Sequence, residues 1–181
     1  MHQLILGALE LRRGTLGNEH DATVRMISLL GLLHWRQSRL DEAAPLFQDA
    51  VDISRRVLGP DHTTTLIYEM NLANVHRAKG RYTAAEPLYA HLVATQPRVR
   101  GEEHGDTLNT MGNFANHLQE TGRYQEAEGL RRRELEVRRR VQGEKAPGTV
   151  STINNLASDL ALLGRHDEAV PEFLEARDAD A

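Results

Sequence analysis

Four kinds of residue could do chemistry in this chain of 181 residues: nine histidines, many carboxylates, a ladder of asparagines and a run of arginines. The histidines invite a metal. His20, His62 and His104 recur every 42 residues. In stacked helix pairs that spacing would hold them roughly 10–20 Å apart, whereas zinc needs its ligands about 2 Å from one point. They are instead expected to tie each inter-repeat loop to the start of the next helix. There is no cysteine for a thiolate site or nucleophile. No Gly-rich phosphate loop, nucleophile elbow or paired-His motif occurs either. The expectation is no metal, no cofactor and no catalytic residue, so the chain is read as not an enzyme.

The asparagines are more telling. One column reads Leu29, Asn71, Asn113, Asn155, and a second reads Leu32, Asn74, Asn116, Ser158. The columns lie three residues apart and so share a helix face. Asparagine inside a helix costs about 0.5–0.7 kcal/mol relative to alanine, so its recurrence on one face needs a reason. An amide both donates and accepts, and a ladder of amides can pair with the backbone of an extended peptide. The competing reading is that they bond between adjacent helices and set the stacking. Arg131–Arg140 holds six arginines against Glu134 and Glu136. It could meet phosphates, but the i,i+4 pairs Glu134–Arg138 and Glu136–Arg140 fit a solvated helix face. Without interleaved aromatics for base stacking, nucleic acid or lipid is the lesser reading.

The elements that must position these residues follow from a repeat. Gly17, Gly59, Gly101 and Gly143 stand 42 residues apart, as do Thr23, Thr65, Thr107 and Thr149. Arg39, Arg81, Arg123 and Arg165 keep the register, and so do Ala43, Ala85, Ala127 and Ala169. Residues 1–15 match the back half of a second helix through Leu4, Ile5 and Ala8. Repeats then run over 16–57, 58–99, 100–141 and 142–181. Each repeat reads as two helices. In the second, these cover roughly Thr63 to Lys79 and Thr83 to Arg100, with Gly80 as the left-handed stop; Ser38, Gly122 and Gly164 are its equivalents. The second helix carries one apolar stripe, Ala85, Leu88, Tyr89, Leu92 and Val93. Neither helix can bury its stripe alone, so neighbouring pairs must stack. Gly31, Ala73, Ala115 and Ala157 are the small residues expected where the helices of a pair approach closely. A net charge of −4 gives no global pull toward nucleic acid. No apolar run approaches the ~20 residues of a membrane span, and the start is not read as a signal peptide. A cytoplasmic protein is expected.

Leu58-Gly59-Pro60-Asp61-His62, Asn71-Leu72-Ala73, Gly80-Arg81-Tyr82 and Ala85-Glu86-Pro87-Leu88-Tyr89 together resemble the tetratricopeptide repeat of the kinesin-light-chain type. Asn154-Asn155-Leu156-Ala157 and Gly164-Arg165 repeat the likeness, which covers essentially the whole chain. It implies an all-α, right-handed superhelix of antiparallel helix pairs (an α-solenoid). Its first helices would line a concave groove that holds peptides or protein partners. The chain departs from the pattern in repeat one, with Ser38 for the turn glycine. In repeat three, Arg131 and Glu134 replace core residues, so that second helix is expected to pack loosely.

On this reading the groove residues are Asn71, Asn74, Asn113, Asn116, Asn155, Ser158, Trp35, Arg36 and Arg77. Leu29, Leu32 and Arg25 join the Trp35 end; Asn109, Gln119, Glu120 and Ser151 join the other. Trp35, the single tryptophan, suggests an apolar or aromatic anchor beside acidic residues in the ligand. It could equally pack between repeats. The expected function is a protein-interaction scaffold. The alternatives are the regulatory arm of a larger nucleotide-driven signalling protein, and contact through the arginine run. Neither end shows a polar capping helix, so the chain is expected to be part of a longer array or to self-associate through its ends.

Overall fold

The computed structural model describes residues 2–179, and side chains for 3–174. Met1 and the last residues of the expected fourth repeat, 180–181, lie outside the described residues. Among these there are nine helices and no strands. They are α1 (His2–Leu16), α2 (Asp21–Arg36), α3 (Leu40–Leu58), α4 (Thr63–Ala78), α5 (Tyr82–Arg100), α6 (Gly105–Glu120), α7 (Tyr124–Gln142), α8 (Pro147–Leu162) and α9 (His166–Ala179). No helix among the described residues is long and apolar enough to cross a membrane. The chain divides into two compact units within α5, between Thr95 and Gln96.

The helix boundaries have local causes. His20, His62 and His104 sit at N-cap positions with extended backbone. Each Nδ1 accepts the amide two residues on, from Ala22, Thr64 and Asp106 at 3.1–3.2 Å. The column that looked like a ligand set is therefore a capping column. Thr65 and Thr107 donate their hydroxyls back to the carbonyls of Gly59 and Gly101 at 2.8 Å, closing the loop. At the other turn, Gly80 takes φ +67° and Ser38 takes φ +59°, the left-handed stop predicted at both. Arg81 N–H reaches back to the His76 carbonyl at 2.8 Å and Gly80 N–H to that of Arg77, which satisfies the orphan carbonyls of α4.

The first unit buries an apolar cluster. Ala43, Phe47, Ala50 and Val51 of α3 pack with Ile27 and Leu30 of α2 and with Leu72 and Val75 of α4. Gly31 is required there, since a Cβ on it would stand 2.9 Å from the Phe47 ring. Ala73, Ala115 and Ala157 are fully buried at the same register, as expected of close helix pairs. In the second unit the apolar clusters are smaller. Ala115, Leu118 and Ala127 form one, and Leu135, Val150, Ile153, Leu156, Leu160 and Ala169 form another. Leu108, Met111 and Val137 are buried in that unit as well, and with them the polar side chains of Arg131, Glu134, Arg138 and Asp159.

Candidate functional site

That polar interior corrects the expectation of loose packing. Arg131 and Glu134 are 1% and 3% exposed. Arg131 donates through Nε to Asp159 Oδ2 at 2.6 Å and through Nη2 to Asn116 Oδ1 at 2.7 Å. Burial raises the Asp159 carboxyl above the ordinary range, against the opposing pull of Arg131. Glu134 Oε1 accepts from Arg138 Nε at 2.7 Å and lies 3.1 Å from the Thr152 hydroxyl. Arg138 also donates to Asn109 Oδ1 at 3.1 Å and to Gln142 Oε1 at 3.3 Å. Ion pairs and amides thus replace the aromatic and aliphatic side chains that fill this layer in the first unit.

The arginine run is accordingly not a single solvated face. Arg131 and Arg138 point inward, because α7 packs against both α6 and α8. The other four point outward, each beside a carboxylate: Arg132 with Glu128 and Glu168, Arg133 with Glu102, Arg139 with Glu144, Arg140 with Glu103. Glu134–Arg138 forms as the spacing predicted, whereas Arg140 pairs with Glu103 rather than Glu136. Exposed pairs of this sort contribute little stability, but they neutralise the surface that phosphates would meet.

The two asparagine columns separate. In the second column the amides serve the fold. Asn74 accepts from the Tyr89 hydroxyl at 2.7 Å, Asn116 from Arg131, and Ser158 from Gln119 Nε2 at 3.4 Å. Asn74 and Asn116 thus reach the second helix of their own pair, not the neighbouring first helix; Ser158 alone bridges first helices. In the first column, Asn71 and Asn155 are half-buried and make no side-chain hydrogen bond among the described residues. Asn113 is also half-buried.

In the second unit Asn113 and Asn155 face one hollow of about 350 Å³. Its walls are Asn109, Asn113 and Asn116 of α6 and Ser151 and Asn155 of α8; its floor is Glu134 and Arg138 of α7. Gly112 and Gly148 also line it and leave room for the side chains of the floor. A Cβ on Gly112 would stand 3.1 Å from Glu134 Oε2, and one on Gly148 would stand 2.6 Å from Arg138 Nη1. Sequence reasoning found the amide walls and missed the charged floor. Its signal was present as ionisable residues at core register positions, Arg131 in line with Phe47 and Tyr89, and Glu134 with Ala50 and Leu92.

In the first unit Asn71, Asn74 and Arg77 follow one another along α4, and all are half-buried. Trp35 of α2 is half-buried against the apolar cluster, while Arg36 is exposed. Leu29 and Leu32 on α2 are 47% and 38% exposed. No group of three or more His, Asp or Glu side chains among the described residues could hold a metal ion.

A family model for the tetratricopeptide repeat matches residues 3–56, 25–98, 64–130 and 106–181. No curated protein matches the sequence. The fold is similar to the crystal structure of kinesin light chain nearly identical TPR-like repeats of Podosopora anserina, at TM-score 0.88 and 23% identity over 99% of this chain and 85% of that one. It is similar to BtubC (BKLC) of P. vanneervenii at TM-score 0.89 and 23% identity, over 98% and 71%. The apo form of RapI aligns at TM-score 0.81 and 14% identity, over 96% and 62%. At these identities the likeness establishes the fold, an all-α solenoid.

Proposed function

The chain belongs to the tetratricopeptide repeat family, and from that premise we propose that it is a non-catalytic scaffold holding an extended peptide or partner protein along its first helices. The observation that carries this reading is the division of labour between the asparagine columns. Asn74 and Asn116 are occupied by Tyr89 and Arg131, whereas Asn155 has its amide unused beside Asn113 on an open hollow. An amide left unpaired in a helix opposes folding slightly, and a peptide backbone supplies both partners it lacks.

Trp35, with exposed Leu29 and Leu32 on the same helix, would add an apolar anchor within the first unit. The paired arginines of α7 weigh against nucleic acid as the partner. Exposed Leu4 and Leu11 on α1, and Val170 and Phe173 on α9, support self-association through these faces, which the mass in solution would reveal. We read the protein as cytoplasmic.

Partner capture by two multiple variants tests the main reading. Asn71→Ala/Asn155→Ala should keep its melting temperature and lose captured partners. Asn74→Ala/Asn116→Ala/Ser158→Ala should melt lower. Undiminished capture by the first variant would refute groove binding, and so would a melting loss equal to that of the second.

A further inference from the structure

The floor of the second unit's hollow holds a carboxylate oxygen to which none of the described residues supplies a donor. Glu134 is 3% exposed, and its two oxygens are unequal. Oε1 takes Arg138 Nε and faces the Thr152 hydroxyl, while Oε2 is buried with no hydrogen-bond partner. An unmet acceptor of this kind opposes folding, and more strongly when ionised. Oε2 lies under Gly112, where the wall has no side chain. The terminal torsion of a glutamate is soft, so a modest turn presents that oxygen to the hollow.

The surroundings select the class of group that would fit. Every lining side chain is polar, so an apolar residue would leave the Asn155 amide and Glu134 Oε2 unpaired. An anion would have to draw Arg138 from Glu134, Asn109 and Gln142, and would meet the unused lone pairs of Glu134. A cationic donor meets no such conflict. Its N–H groups point at Oε2, and the amide oxygen of Asn155 can take one that remains.

We propose that the hollow between α6 and α8 receives one ammonium or guanidinium side chain of a bound peptide, with Glu134 as its carboxylate partner. This rests on the groove reading and adds the chemistry of one ligand position. A basic residue there is separate from the apolar anchor at Trp35.

The test uses the 181-residue chain and four acetylated, amidated Gly/Ser/Ala peptides that differ only at the centre: Lys, Arg, norleucine or Glu. By calorimetry, the Lys or Arg peptide should bind about tenfold tighter than the norleucine peptide, and the Glu peptide weakest. Glu134→Gln should bring the basic and norleucine peptides to about the same affinity. Should that variant fail to fold, Asn155→Lys places a tethered ammonium on the rim and should abolish the preference, leaving Glu134 and Arg138 in place. Equal binding of the Lys, Arg and norleucine peptides by the unaltered chain would overturn the basic-anchor proposal while leaving groove binding intact. Persistence of the preference in either variant would do the same. Binding of none of the four would overturn both.

Discussion

Arg131 Nε donates to Asp159 Oδ2 at 2.6 Å inside the second unit, with side chains 1% and 0% exposed. In register, the pair takes the positions that Phe47 and Val75, both fully buried, hold two repeats earlier. One interior position is thus filled by packing in one unit and by charge in the other. Burying two charges costs several kcal/mol per ion, and their attraction offsets that only with good geometry and further hydrogen bonds. Asn116 supplies one such bond, yet Arg131 Nη1 and Asp159 Oδ1 have no hydrogen-bond partner among the described residues.

Breaking this pair should therefore be far worse than replacing it. Asp159→Val alone or Arg131→Phe alone strands a buried charge and should cost about 3–5 kcal/mol. The double variant, which restores the pairing of the first unit, should lie within about 1 kcal/mol of the natural chain. Urea unfolding of the four proteins completes the cycle. Additive losses would mean that the two residues are not coupled.

This pair also marks where the sequence stopped being readable. Helix spans, turn stops and caps were legible because each is local: Gly80 ends α4, and His62 starts it. The burial of Arg131 and Arg138 was not. Within α7 their spacing resembles that of any charged helix, and the residues that admit them lie on other helices, at Asp159, Asn116 and Asn109. The asparagine columns show the same limit. Three residues apart on a helix, they read as one face, yet only the second column turns far enough toward Tyr89 and Arg131 to be used by the fold.

A histidine should give the first unit a pH dependence. His76 lies near the end of α4, with its Nδ1 buried and unpartnered. Burial lowers its pKa below the ordinary 6.5, and the charges of Arg81 and Lys79 lower it further. The unfolded chain then takes up this proton first as pH falls. The histidine's contribution is fully present above about 6.5 and is lost on acidification. His76→Gln should lose less melting temperature than the natural chain between about pH 7.5 and 5.5. Parallel losses in the two proteins would assign the pH dependence elsewhere.

Ser38 is the one non-glycine residue with positive φ among the described residues. Its counterparts Gly80, Gly122 and Gly164 adopt that conformation without a Cβ, whereas an L-residue there is strained by about 1–2 kcal/mol. Glycine also loses more backbone entropy on folding, which offsets part of the relief. Ser38→Gly should raise stability by about 0.5–1 kcal/mol, read from the urea midpoint at unchanged slope. A loss would show that the serine side chain makes a contribution larger than its strain.

The capping column offers a paired test in opposite directions. His62 accepts the Thr64 amide at 3.2 Å, while Ala146 occupies the same register position before α8 and caps nothing. Pro147 follows it in the first turn, where a missing N–H is harmless, so α8 already starts cleanly but leaves its next amides without a side-chain acceptor. His62→Ala should cost about 1 kcal/mol and loosen the first turn of α4, while Ala146→Ser should gain about as much at α8. Amide hydrogen exchange in those two turns separates the local effect from global unfolding. Protection should fall at Thr64–Thr65 in the first variant and rise at Gly148–Thr149 in the second. If His62→Ala left exchange unchanged, the loop bond from Thr65 to Gly59 would be sufficient to hold the helix start, and the histidine column would need another purpose.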